Sequence, residues 1–163
     1  MDDRAAITEL LFRYARGVDR IDIPLIKSTY WPGAIDDHGV FVGTGHDFAD
    51  HIAEPLTHFA STQHSITNVS IELDGTRARS ECYISVTHVV PRRGEDLLFR
   101  MGGRYLDRFE KRGAEWRNAA RLLLLDWLEL PPGNDEIRAH FAKIRRGARA
   151  PDDAWHRGEP ALA

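Results

Sequence analysis

The chain of 163 residues is short of several things, and each shortage excludes something. It has a single cysteine, Cys82, so no internal disulfide can form and no zinc-finger spacing exists. It has no excess of basic charge. The net charge of -3 gives no general attraction to nucleic acid or to anionic membranes. It has no long apolar run. The longest, Leu122 to Leu125, is far below what a bilayer crossing needs. The opening "MDDRAAITELL" lacks the basic start and apolar stretch of a secretion signal, so a cytoplasmic protein is expected. No internal repeat is present. What remains is a globular balance, 42% hydrophobic and 29% charged, which argues against disorder and for one domain with one core.

The first half reads as helices. Ile7, Leu10, Leu11, Tyr14 and Val18 form one apolar stripe, and Gly17 is expected to end that helix with Asp19 at its exit. A short second helix starts at the cap Asp22 with Pro24 in its first turn. It runs through Tyr30 and stops at "WPG". Ile35–His38 and Val40–Val42 read as a small hairpin around Gly39. A third helix is expected from about His46 to about Phe59. From His64 the period changes to two. Ile66, Asn68, Ser70 and Glu72 are assigned to one face, and Thr67, Val69, Ile71 and Leu73 to the other. "DGT" at Asp74–Thr76 is a tight turn, followed by strand candidates at Arg77–Val90, Leu97–Arg112 and Trp116–Leu130. Strands that long in a small domain must coil, and a coiled sheet has a concave face that the helices can cover. The expectation is α+β: a helix-capped curved sheet, a cone with an apolar pocket inside. Residues 1–133 form that unit. Residues 134–163 supply a last helix and an irregular tail, part of the same unit or of a subunit interface.

Few polar residues fall where such a cone would receive them. Tyr14 is on the first helix, Asp19 at its exit, His38 on the hairpin, His64 at the start of a long strand, and His88 and Tyr105 on the next two. A carboxylate touching an imidazole makes a general base, because it fixes the tautomer and stabilises the imidazolium. Taken alone, His64 reads as a surface histidine and Asp19 as a turn residue binding nearby backbone. His88 reads as pocket lining or as catalytic. Asp47 and His51, one helical turn apart, read as a solvated face rather than a metal site, and no metal site is expected. Arg104 and Arg121 read as solvent-facing or interface residues, and Cys82 as an inert strand residue.

"RAAITELLFRYARGVDRIDIPLIKSTYWPGAIDDHGVF", "STQHSITNVSIEL" and "GGRYLDRFEKRGAEWRNAARLLLLDW" carry a resemblance. The chain resembles the SnoaL-like branch of the NTF2-like superfamily, with its cystatin-like, cone-shaped α+β barrel. Within it, the pattern is similar to that of the scytalone dehydratase and hexachlorocyclohexane dehydrochlorinase members. The resemblance implies an Asp–His dyad at Asp19 and His64, with Tyr14, His38, His88 and Tyr105 around the substrate. It also shows departures: His38, Val18 and Gly103 stand where the dehydratase pattern has tyrosine, tyrosine and serine, and Tyr14 stands where the dehydrochlorinase pattern has lysine. The implied function is a cofactor-independent lyase of the dehydratase type, or an isomerase, acting on a hydrophobic cyclic small molecule. The alternative is a non-catalytic small-molecule-binding or structural subunit of the same fold. Apolar residues on both faces of the last strand lead to the expectation of a homo-oligomer, trimer or dimer, with a second subunit covering the outer face.

Overall fold

The computed structural model describes residues 2–160. Helix α1 (Asp3–Arg20) opens on Asp2, whose side chain accepts the Ala5 N–H, and buries its stripe Ile7, Leu10, Leu11, Tyr14 and Val18. It runs past Gly17. A Cβ on Gly17 would sit 2.8 Å from Ile26 Cγ1 in α2 (Ile23–Ser28), so this glycine admits the second helix rather than ending the first. The helix stops at Ile21, whose φ of 53° lies in the left-handed region. For a β-branched residue that conformation costs on the order of 1 kcal/mol. Asp19 therefore sits inside the last turn of α1, not beyond it.

Strand β1 (Tyr30–Asp37) takes in the "WPG" segment and Tyr30, both expected to belong to the second helix or its end. Strand β2 (Val42–Thr44) and helix α3 (Gly45–Leu56) follow. Thr44 caps α3, accepting the Asp47 N–H. Four long strands come next: β3 (Ser61–Asp74), β4 (Arg77–Val90), β5 (Leu97–Arg112) and β6 (Glu115–Glu129). They pair in sequence as an antiparallel meander. β1 then adds to the free edge of β6 in parallel, giving one six-stranded sheet in the order β2-β1-β6-β5-β4-β3. The last helix, α4 (Asp135–Phe141), lies across the mouth. This is the expected cone-shaped α+β barrel, helices packed into a strongly curved sheet.

Bulges curve the sheet. In β3 the register slips between Thr67 and Ser70, and Asn68 takes φ 50°. The extra residue reverses the alternation. Thr62, His64 and Ile66 turn inward before the bulge, and Val69 and Ile71 after it, so Asn68, Ser70 and Glu72 do not continue the face of Ile66. A second slip between Gly102 and Gly103 accompanies the approach of Trp127, whose indole would collide with any Cβ on Gly102.

The main core fills the concave side, where Tyr14, Phe48, Val86, Phe109 and Leu125 are among the buried residues. On the convex side Leu106, Leu122 and Leu124 form a second apolar strip, which the chain's own tail covers with Ala154 and Trp155. The strip that pointed to another subunit is thus buried intramolecularly. Arg104, expected to face solvent or an interface, lies beneath the same tail. It pairs with Glu81 and Asp153, both at 2.7 Å. Arg79 places its guanidinium 4.1 Å from the Trp155 ring centroid and donates to the Trp155 carbonyl at 2.9 Å. Trp155→Ala is expected to lower stability by about 1–2 kcal/mol, the loss of a half-buried aromatic and of its cation–π contact. Chemical denaturation reads this as an earlier midpoint, and an unchanged midpoint refutes the tail as a cover.

Candidate active site

The end of α1 and the start of β3 meet at Asp19. Asp19 Oδ1 accepts from Thr62 Oγ1 at 2.9 Å and from the His64 Nδ1–H at 2.7 Å. Asp19 Oδ2 accepts the His64 backbone N–H at 3.0 Å. The local pattern explains the convergence. β3 alternates, so Thr62 and His64 share its inward face and both reach one carboxylate. Burial acts to raise the Asp19 pKa, but the His64 and Thr62 hydrogen bonds and the His64 charge outweigh it, and the net shift is downward. Asp19 is therefore a carboxylate that accepts three hydrogen bonds in the site, one from Thr62 and two from His64. It holds Nδ1–H on His64 and leaves Nε2 for the cavity that the ring lines.

That cavity has a volume of about 140 Å³, and its walls are almost entirely apolar. Tyr14, His38, His64, His88 and Tyr105 all line it, while Asp19 sits behind His64. These residues converge on one cavity from five parts of the fold. His38 lies in the turn after β1. Its ring stacks on Phe48 at 4.0 Å, and its Nδ1 meets Asp36. Tyr14 and Tyr105 pack edge to face, 5.8 Å between centroids. Burial raises the pKa of both well beyond the usual tyrosine range, so both remain neutral phenols.

His88 differs from the other two imidazoles. It is 7% exposed, stacks on Phe59 at 4.3 Å, and lies 5.9 Å from the His64 ring. Neither of its ring nitrogens has a protein partner. Burial, aided by the His64 charge and opposed by Asp19, pushes its pKa down to about 4. At neutral pH it is an uncharged imidazole with one donor and one acceptor free to meet a ligand.

Arg121 was misread as a surface residue. Its guanidinium is buried between the rings of Tyr14 and Tyr105, 4.0 Å from each centroid, and pairs with Asp107 through two bonds of 2.7 Å. The signal was present: Arg121 shares the phase of Leu123 and Leu125, the inward face of β6, and Asp107 shares that of Tyr105 on β5. Asp36, fully buried beneath His38 and Tyr30, was also missed as a site residue. Cys82 is buried, and burial pushes its thiol up to about 12, so it stays an unreactive thiol. Asp47 is spent on capping α3. Among the described residues no group of three or more His, Cys, Asp or Glu converges as a metal site would, and no helix is long and apolar enough to cross a membrane.

Residues 1–121 match the family described as the SnoaL-like domain. No curated protein matches the chain. Among solved structures, the chain is similar to the Kfla4162 protein of Kribbella flavida, at 22% identity and a TM-score of 0.72, covering 86% of this chain and 97% of the other. It is also similar to a candidate scytalone dehydratase of Novosphingobium aromaticivorans, at 20% identity and TM-score 0.70 over 79% and 87% of the two chains. A hexachlorocyclohexane dehydrochlorinase, LinA-type3 of Novosphingobium barchaimii, aligns at 17% identity and TM-score 0.69 over 80% and 90%. At these identities the likeness establishes a shared fold.

The buried neutral His88 makes a pH-linked prediction. Its folded pKa lies below the unfolded value of about 6.5, so the unfolded state binds the extra proton as pH falls. Its contribution to stability is intact above about pH 6.5 and is lost between there and about pH 4, where the loss reaches roughly 3 kcal/mol. His88→Phe is expected to flatten that part of the stability curve while keeping the aromatic packing. Urea midpoints at pH 7.5, 5.5 and 4.5 measure it, and an equally steep curve in the variant contradicts the burial argument.

Proposed function

The chain belongs to the SnoaL-like domain family, and from that footing we propose that it is a lyase of the dehydratase type, or an isomerase, acting on a small hydrophobic cyclic molecule. The observation that carries this reading is the Asp19–His64 contact at 2.7 Å behind an apolar cavity. His64 Nε2 takes a proton from a carbon acidified by a neighbouring carbonyl. Asp19 stabilises the imidazolium that forms. Tyr14 and Tyr105, held as phenols, are the donors toward oxygen on which negative charge develops. Apolar walls strengthen each of these interactions by excluding water. The proton leaves one carbon and either returns at another, which is isomerisation, or departs together with a leaving group, which is elimination. Both use groups the chain itself supplies.

The size of the cavity narrows the ligand. A dry apolar cavity of about 150 Å³ admits benzene, so about 140 Å³ suits one six-membered ring. The first test substrates are therefore cyclohexanone, for α-proton exchange in heavy water, and 3-hydroxycyclohexanone, for loss of water. His64→Ala is expected to lower either rate by about 10²–10⁴-fold, the usual contribution of a positioned base. Circular dichroism checks that the fold survives. Rates that persist in His64→Ala refute the dyad. Binding of these ketones by the wild-type protein with no exchange and no elimination favours the non-catalytic reading of the pocket.

A further inference from the structure

His64 is not alone in having a carboxylate behind it. His38 lines the same cavity, and its Nδ1 meets Asp36, which is 0% exposed. Asp36 also accepts the Tyr30 hydroxyl at 2.6 Å, so its orientation is set from a second side. The turn that carries His38 is equally fixed. The His38 N–H donates to the Phe41 carbonyl at 2.9 Å, and the Gly39 N–H donates to Asp37 Oδ1 at 2.8 Å. Gly39 has φ 71°, and a Cβ there would lie 2.6 Å from Ile144 Cα, so the segment after α4 closes against this turn. Phe48 stacks on the far side of the ring. Each element of this arrangement repeats the logic at His64. Nδ1 is committed to a buried carboxylate, and Nε2 is the one nitrogen left to the cavity.

We propose that His38, oriented by Asp36, is a second acid–base centre working on the same ligand as His64. The proposal rests on the reading of His64 as a base and adds to it the class of ligand. That ligand is a single-ring molecule carrying both an acidic C–H and a second, oxygen-bearing group. The ring fits because one such ring fills a cavity of about 140 Å³ that both imidazoles line. In elimination, His64 Nε2 takes the proton from carbon, and the C–H electron pair becomes the new C=C bond. The C–O bond breaks, and the protonated His38 gives its Nε2 proton to the departing oxygen, which leaves as water. One proton enters the protein and one leaves it. The resting state returns when His64 loses its proton to solvent and His38 regains one. His38 is the catalytic residue here, and Asp36 a positioning residue that holds its tautomer and ring orientation. The ionisable groups facing His38 are Asp36 from its own strand and Tyr105 from β5, at 5.9 Å between rings. Phe48 from α3 is apolar, and the cavity that His38 lines also holds the imidazoles of His64 from β3, His88 from β4 and His140 from α4.

Long-range 1H–15N NMR of the histidine-labelled protein tests this, titrated with pH and with phenol as the single-ring probe. The expected result has three parts. Neutral His38 carries its proton on Nδ1. Phenol moves the Nε2 resonances of both His38 and His64. Asp36→Asn, which takes the carboxylate away from Nδ1, moves neutral His38 toward the tautomer protonated on Nε2. A second variant covers the case in which Asp36→Asn does not fold. His38→Gln is expected to weaken phenol binding about tenfold and to lower the rate of water loss from 3-hydroxycyclohexanone by at least about 10²-fold. Phenol moving His64 alone, or unchanged affinity and rate in His38→Gln, overturns the second centre and leaves the Asp19–His64 reading standing. Phenol moving His38 alone overturns the shared ligand and the His64 reading together.

Discussion

The buried Arg121–Asp107 pair is the constraint on which the interior depends. A guanidinium and a carboxylate in a protein core lose most of their hydration, a cost of several kcal/mol per ion before pairing. Here each charge is met. Two parallel hydrogen bonds join them, and the mutually perpendicular tyrosine rings of α1 and β5 form a corner over the guanidinium. The cation faces the electron-rich surfaces of both rings, which is the favourable geometry for such contacts. Desolvation opposes the charge on Arg121, but Asp107 and the surrounding groups hold its pKa above the usual arginine value. Removing one partner would leave the other charged, buried and alone, which costs about 3–5 kcal/mol, so the two residues and the tyrosine cage act as one unit.

The unit also fixes distances. Tyr14 is in α1, and Arg121 and Tyr105 are in the sheet, so this three-way contact ties the helix to the sheet at one depth and one rotation. Asp19 lies further along the same helix. Its contact with His64 depends on α1 arriving at β3 in register. Two features downstream complete the positioning. Gly17 lets α2 pack close, and the helix ends at Ile21 in an unfavourable conformation rather than one residue earlier or later. On the sheet side, the bulge at Asn68 lets the first half of β3 present His64 inward while the second half still presents Val69 and Ile71 to the same core. A regular strand of that length would have turned one of those sets outward.

Much of this was legible from pattern alone. The stripe of α1, the four long alternating strands and the turn between β3 and β4 are visible because burial imposes a period on sequence. The cone followed from strand length. Where the reading failed, the cause was local and physical. Gly17 looked like a helix end, yet its small size serves close packing. Asn68 looked like an ordinary strand residue, yet it is the extra residue of a bulge. Arg121 and Arg104 looked exposed because charge is a strong predictor of exposure. Their phase on the strand said otherwise, since Arg121 alternates with Leu123 and Leu125. The cover on the outer face was not legible at all. Nothing periodic marks a tail of Pro, Gly and charged residues as the lid of Leu106, Leu122 and Leu124. Asp19 and His64 are far apart in sequence, and no local signal pairs them. The family pattern did, and the fold brings them to 2.7 Å.

The site's electrostatics follow from where carboxylates are and are not. Four imidazoles line one apolar cavity, those of His38, His64, His88 and His140, and the first two have a carboxylate on Nδ1. Asp19 and Asp36 each supply negative charge at the point where their histidine would become positive. His88 has no such partner. Burial disfavours its charged form first, and a protonated His64 at 5.9 Å disfavours it further. Positive charge is therefore excluded from His88. An arrangement of this kind separates two tasks that a single unbiased cluster would confuse. His64 and His38 have Nδ1 committed to a carboxylate, while burial keeps His88 neutral, with one donor and one acceptor.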